Sequence, residues 1–246
     1  MKNLKLFVVL AFILPAVVAC KKNGVTSLNV SNADAAAILA GSTATNSYGV
    51  YGITNDISLN ALVQSSATNL GCGVTKLDTI SRHSAAGASA TYSYAFYDNY
   101  KLNCNSSNLP DNITGNIGYK GYYSNTNLTL TNSGTVTYTL AGLTTTATVH
   151  SLNGEYKSSG SFKLKSDTTN TGTVNIDVVI KNLTISKSTQ YFTGGTATVI
   201  ITGTTTKKGD FTYNGTLTIN TGSLATLVLN GSTYQVNLVL GTITPK

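Results

Sequence analysis

Carboxylates and histidines are the side chains here that can take part in acid–base chemistry, and they are few. The chain has nine Asp and Glu residues and two His residues. Paired-carboxylate hydrolysis needs two carboxyl groups facing one bond, but these stand singly: Asp34, Asp56, Asp78, Asp98, Asp111, Glu155, Asp167, Asp177 and Asp210. No G-x-S-x-G, H-E-x-x-H or P-loop pattern accompanies them. The sequence therefore predicts a protein that is not an enzyme and has no cofactor. A hydrolase with a site assembled from distant residues is the less favoured alternative.

The two histidines do not form a recognisable metal or nucleophile motif. His83 and His150 stand at no metal-ligand spacing with a cysteine, with paired carboxylates or with each other, so no metal site is predicted. A contact between His83 and Asp78 in space would favour the hydrolase. His150 lies in an alternating run, and we expect it on the water-facing side or at the end of a strand.

The N-terminus has the layout of an export signal. Lys2 and Lys5 precede an uncharged apolar run from Leu6 to Ala19. As a helix this run spans about 21 Å, less than the ~30 Å hydrocarbon core of a bilayer. Such a length is typical of a signal peptide, and a transmembrane anchor is the competing interpretation.

The segment Val17-Val18-Ala19-Cys20 resembles the bacterial lipobox. The resemblance implies cleavage before Cys20, a diacylglycerol thioether on it and acylation of the new N-terminus. Residues 1–19 are then the signal peptide, 20–30 a tether and 31–246 a single β-rich domain. No Asp follows Cys20, which implies the outer membrane and its periplasmic face, with the cell surface as an alternative. An ordinary secretory signal with an incidental cysteine is the competing interpretation.

Two cysteines remain once Cys20 is assigned to lipid. In an oxidising compartment, a remaining pair favours a disulfide between Cys72 and Cys104.

Tyrosines concentrate between Thr91 and Tyr123. Six are candidates for a platform that binds a glycan, peptide or lipid: Tyr92, Tyr94, Tyr97, Tyr100, Tyr122 and Tyr123. The alternative is that their rings fill the core beside the disulfide. Asp78-Thr79-Ile80 resembles the O-glycosylation signal of Bacteroidota, as does Asp167-Thr168-Thr169. Thr79 and Thr168 are therefore candidate acceptors.

Charge does not favour a nucleic-acid partner. The formal net charge is +7, but charged residues make up only 10% of the chain and the lysines are dispersed. A nucleic-acid surface would cluster them beside stacking aromatics.

The sequence predicts both helices and strands as the elements that position these residues. Ser31 to Gly41 is predicted as a helix, with Ser31 or Asn32 as its cap, and Asn55 to Ser66 as a second, weaker one. From Ala90 onward, apolar and polar residues alternate with a period of two, typical of strands with one dry face. The sequence thus predicts a mostly all-β fold: an antiparallel meander of about eight to ten strands. The sheet is expected to be a curved sheet, a sandwich or a partly closed barrel.

Glycine dipeptides predict where the strands reverse. Asn153-Gly154 and Asn230-Gly231 are expected to form tight hairpins, and Ser133-Gly134, Gly194-Gly195 and Lys208-Gly209 further turns. Asn214-Gly215 lies within a run, where we expect a bulge or kink.

The lipobox, Cys72-Gly73 and the C-terminal pattern around Tyr213-Asn214-Gly215, Asn230-Gly231 and Tyr234 to Leu240 resemble uncharacterised outer-membrane or periplasmic lipoproteins of Bacteroidota. The resemblance carries no known activity. We therefore expect a membrane-anchored, non-enzymatic binding or scaffold module of the envelope. The alternative is a periplasmic carrier of a hydrophobic ligand in a β cavity.

Overall fold

The structure is a computed structural model that describes residues 30–66, 71–165, 171–206 and 209–246. Helices α1 (Asn32–Thr43) and α2 (Val50–Ser66) come first, separated by a 3₁₀ turn at Thr45–Ser47. The strands are β1 Thr75–His83, β2 Thr91–Cys104, β3 Pro110–Ser124, β4 Leu128–Ala141, β5 Val149–Leu164, β6 Thr171–Ser186, β7 Phe192–Thr205, β8 Gly209–Ile219, β9 Leu224–Leu229, β10 Ser232–Asn237 and β11 Thr242–Pro245. The predicted signal peptide, Cys20 and Thr168 lie outside the described residues.

The strands form one antiparallel sheet in which each pairs with its neighbours in sequence. The order runs from β1 to β11, and these two end strands are not paired with each other. The predicted all-β meander is confirmed, as a curved sheet that does not close. The described residues contain eleven strands instead of eight to ten. The additional strand is β1, which precedes Ala90, where we expected strands to begin.

Alternation along the strands separates a dry face from a wet one. In β4, Val136, Tyr138 and Leu140 are buried, and the threonines between them are exposed. Since side chains of a strand point alternately to opposite faces, one face of the sheet carries the core and the other meets water.

Helix α1 packs on the dry face near the C-terminal strands. Ser31 and Asp34 form a capping box: each side chain bonds the other residue's backbone N–H, which satisfies two free donors at the helix start. Ala35, Ala36 and Ala40 are fully buried. Their small side chains allow the helix backbone to approach the sheet closely. The predicted helix is confirmed and continues to Thr43.

Helix α2 crosses the same dry face and begins at Val50, earlier than predicted. The ring centroids of Tyr51 and Phe192 on β7 lie 4.7 Å apart, and the Ser58 hydroxyl lies 2.8 Å from Nδ1 of His150 on β5. The two helices thus cover the dry face of the sheet. No helix in the described part of the chain is long and apolar enough to cross a membrane.

The turn predictions were partly correct. Asn230-Gly231 joins β9 to β10, and both residues have positive φ angles. Gly209 begins β8, and Lys208, the other residue of that predicted turn, lies outside the described residues. Asn214-Gly215 lies within β8, as expected, but its register against β7 is unbroken. Three glycine-containing dipeptides predicted as turns lie inside strands instead: Ser133-Gly134, Asn153-Gly154 and Gly194-Gly195.

His150 is fully buried, so the expectation that it faces water or ends a strand was wrong. Its Nδ1 contacts Ser58, and its Nε2 is buried without a hydrogen-bond partner in the described structure. Burial, followed by the charge of Lys187, lowers the pKa of His150 to about 4. The folded protein therefore holds a neutral imidazole inside its core.

This neutral histidine makes the fold sensitive to acid. The unfolded imidazole titrates near 6.5 and takes up a proton first. The contribution of His150 to the free energy of unfolding is therefore complete above that pH. It is lost as the pH falls through 6.5 towards 4, by up to about 3 kcal/mol. We expect the double variant His150→Phe with Ser58→Ala to lose less stability over this range than the unmodified chain. Urea denaturation at a series of pH values measures the difference.

The matched control is His83→Asn, because His83 is exposed on β1. This variant should keep the acid sensitivity of the unmodified chain. An equal loss of stability in all three proteins would contradict the assignment to His150.

Candidate functional site: a cleft between helix α2 and strand β1

A cleft of about 300 Å³ lies where α2 meets the first three strands. We call it the α2–β1 cleft. Its apolar lining is Ile53, Ile57, Leu59, Val63, Ile80, Phe96 and Ile117, and its polar lining is Tyr48, Asp56, Asn60, Asp78, Arg82 and Asp98. Largely apolar walls with a few convergent polar groups are typical of small-molecule sites.

Regular spacing in two elements brings these side chains together. On α2, Asp56, Asn60 and Val63 recur at intervals of four and three residues, which places them on one helix face. On β1, Asp78 and Arg82 lie four residues apart and therefore point to the same side of the sheet. The helix face and the inward face of the edge strand form the two walls of the cleft.

A polar triad of Tyr48, Asp56 and Arg82 joins the two walls at one end. Arg82 Nη2 lies 2.9 Å from Asp56 Oδ2, and Arg82 Nε donates to the Tyr48 hydroxyl at 2.7 Å. Tyr48 also donates to Asp56. Burial, followed by the neighbouring Asp56 carboxylate, raises the pKa of Tyr48 well above its usual range, so the hydroxyl keeps its proton. The triad therefore neutralises Arg82 within the cleft wall.

Asp98 is the most buried acid of the cleft, with 5% of its surface exposed. The Tyr138 hydroxyl on β4 lies 3.3 Å from both of its oxygens. Tyr138 reaches Asp98 by crossing Gly115 on β3, where a Cβ atom would collide with the tyrosine ring. Burial raises the pKa of Asp98 to about 6; the Tyr138 bond lowers it and the charge of Asp78 adds to the rise.

Asp78 faces Asp98 directly across the β1–β2 ladder. Opposed residues of an antiparallel pair point to the same face, so two carboxyl groups that stand singly in the sequence meet in the cleft. His83 does not join them, because it lies on the opposite, exposed face of β1. No group of three or more side chains in the described residues is arranged to hold a metal ion.

The six candidate tyrosines do not share one surface, so a platform made of all six is not formed. Tyr94, Tyr100 and Tyr123 are buried on the dry face, and Tyr92 is half-buried beside Tyr48, with ring centroids 5.7 Å apart. Tyr97 and Tyr122 are exposed on the opposite face. Most of these rings therefore belong to the core, as the alternative expectation had it.

The cysteine pair lies beside the cleft strands. Cys72 precedes β1 and Cys104 ends β2; the two form a disulfide, with Cα atoms 5.6 Å apart.

Thr79, the candidate O-glycosylation residue, is exposed on the outer face of β1, where a modifying enzyme can reach it.

Sequence reasoning missed Tyr48, Arg82 and Tyr138 as members of the site. One signal was available in β1. Lys76, Asp78, Ile80 and Arg82 occupy alternate positions, so three charged residues share a face with one apolar residue. Charges pointing inward on an edge strand are a feature that ordinary core strands lack.

These features define the protein as an open antiparallel β meander that encloses two N-terminal helices and carries a mixed polar and apolar cleft at its first edge. Comparison with protein-family models, curated protein sequences and solved structures gave no match for this chain.

Proposed function

We propose that the chain is a lipid-anchored lipoprotein of the bacterial envelope, and that its β-rich body is a non-enzymatic module that binds a small molecule in the α2–β1 cleft. The export signal and Cys20 support the location. The cleft itself supports the binding role, because it combines enough volume for a small ligand with apolar walls and convergent charged groups.

The filled interior limits the size of the ligand. Helices α1 and α2 cover the dry face of the sheet, where a carrier would hold a large apolar molecule. A carrier of a hydrophobic ligand remains the alternative, with its ligand restricted to the α2–β1 cleft. A ligand of this site lies against α2 and β1.

Methyl-labelled protein tests the binding role. We expect small aromatic fragments of different charge to shift the methyl resonances of Ile57, Val63 and Ile80 in a saturable manner. Val63→Trp should abolish the shifts of Ile57 and Ile80, since its ring fills the cleft mouth, where Val63 is 67% exposed. Val228→Trp is the matched control, because Val228 lies on β9, is also exposed and should leave binding unchanged.

The same titration separates binding from catalysis. If no fragment shifts the cleft methyl groups, the binding proposal is contradicted. Including glycosides and esters in the fragment set tests the hydrolase, which the opposed Asp78 and Asp98 favour. Product signals that disappear in Asp98→Asn would support the hydrolase over the non-enzymatic module.

A further inference from the structure

The cations near the cleft have partners of their own, whereas two of its carboxylates have no cation paired with them in the described part of the chain. Arg82 is engaged by both Asp56 and Tyr48. The other cation on the inward face of β1, Lys76, lies outside the cleft lining and donates from Nζ to Gln64 Oε1 at 2.5 Å. Neither cation therefore neutralises the pair Asp78 and Asp98.

Asp98 also has unused capacity to accept hydrogen bonds. A carboxylate offers about four acceptor positions, whereas Asp98 receives one hydroxyl, shared between its oxygens at 3.3 Å. Asp78 is exposed to solvent at the cleft opening and has no hydrogen bond or ion pair to another residue in the described structure. A buried, weakly satisfied carboxylate beside a second acid favours a ligand that brings a positive charge and several donors.

The rest of the cleft is apolar around this pair. Ile80 follows Asp78 on the inward face of β1, and Phe96 lies opposite it on β2. Ile57 and Val63 contribute from α2. A ligand that satisfied only the carboxylates would leave these surfaces in contact with water, so an apolar body attached to the charged group fits the cleft better than a bare inorganic ion.

We infer that the cleft binds a small organic cation, an ammonium group attached to a compact apolar body, with Asp78 and Asp98 as its counter-ions. This inference rests on the proposed function and specifies its ligand class. The ammonium donates to the two carboxylates, and the body packs between β1 and α2. The Arg82–Asp56 pair closes one end without competing for the ligand's charge.

Three probes of similar size and different charge test this assignment on the purified full chain: phenethylamine, 2-phenylethanol and 3-phenylpropionate. At about pH 8 the amine is protonated, and Asp98 is ionised because this pH lies above its pKa of about 6. We expect phenethylamine to bind about tenfold tighter than the alcohol, since a hydrogen bond to a charged group contributes about 1.4 kcal/mol more than a neutral one, and this difference corresponds to tenfold in affinity. The anion should bind most weakly.

Asp98→Asn and Asp78→Asn should each reduce the preference for the amine over the alcohol. The Asp98→Asn side chain keeps an oxygen for the Tyr138 hydroxyl, and its melting curve checks that it is folded. Asp210→Asn is the matched control, because Asp210 is exposed on β8 and should leave the preference unchanged.

The outcomes separate this inference from the proposed function. Equal or tighter binding of the alcohol or the anion in the cleft overturns the cation assignment and leaves the binding module standing. An amine preference that survives in both aspartate variants overturns the counter-ion role. If none of the three probes binds while other fragments do, the ligand class is wrong; if nothing binds, both proposals fall.

Discussion

Replacing Cys20 by serine is expected to move the protein from the membrane fraction to the periplasmic fraction. In the lipoprotein that we propose, Cys20 supplies the thiol for the lipid, and serine cannot form the thioether. Each buried methylene of an acyl chain contributes about 0.8 kcal/mol to membrane binding, so loss of all chains should release the protein almost completely. Fractionation with detection of the intact chain measures this, and intact mass shows whether the acyl groups are present in the unmodified protein.

A second cause of membrane association must be separated from lipid. Lys21 and Lys22 follow the cysteine, and basic residues near an anionic surface contribute about 1 kcal/mol each. The variant Lys21→Gln with Lys22→Gln keeps the lipobox and should remain in the membrane fraction. Membrane association that persists in Cys20→Ser but disappears in the lysine variant would show that charge, and not lipid, holds the protein.

The features predicted correctly from the sequence depend on local interactions. The start of α1 follows from Ser31 and Asp34, which are three residues apart and cap each other. The turn at Asn230-Gly231 follows from two adjacent residues that tolerate positive φ. The dry face of β4 follows from alternation within a single strand. Each signal lies within a few residues and needs no information about the rest of the chain.

The glycine pairs mistaken for turns show where local signals mislead. At Gly134, inside β4, a Cβ atom would collide with the Lys157 carbonyl and approach the Tyr119 hydroxyl to 2.6 Å. Gly115 leaves room for Tyr138 in the same way. These glycines are required by side chains and backbone of neighbouring strands, and a single sequence does not distinguish them from turn glycines.

The cleft could not be predicted from the sequence, because it also depends on contacts between elements that are distant in the chain. Asp78 and Asp98 meet only because β1 pairs with β2 in one register, and a slip of one residue would place one of them on the other face. The partners of Arg82 lie near and on α2, which packs against β1 only in the folded protein. Apolar alternation does not detect β1, because its inward face carries Lys76, Asp78 and Arg82.

Removal of the Cys72–Cys104 disulfide should lower the free energy of unfolding by about 3–4 kcal/mol. The bridge closes a loop with a sequence separation of 32 residues, and this magnitude follows from the entropy that such a cross-link removes from the unfolded chain. The variant Cys72→Ala with Cys104→Ala can be compared with the unmodified chain by urea denaturation. Cys20→Ser is the control, because it removes the one cysteine that does not belong to the bridge. This variant should keep the full stability of the folded body.

The effect should be largest at β1, because this edge strand pairs only with β2 and the bridge joins the segment before β1 to the end of β2. We expect amide hydrogen exchange of β1 to accelerate more than that of β7, which is paired on both sides. Since β1 carries Asp78, Ile80 and Arg82, the same variant should also bind cleft ligands more weakly. Unchanged exchange in β1, or two reactive thiols in the denatured, unreduced protein, would show that the bridge does not hold this wall of the cleft.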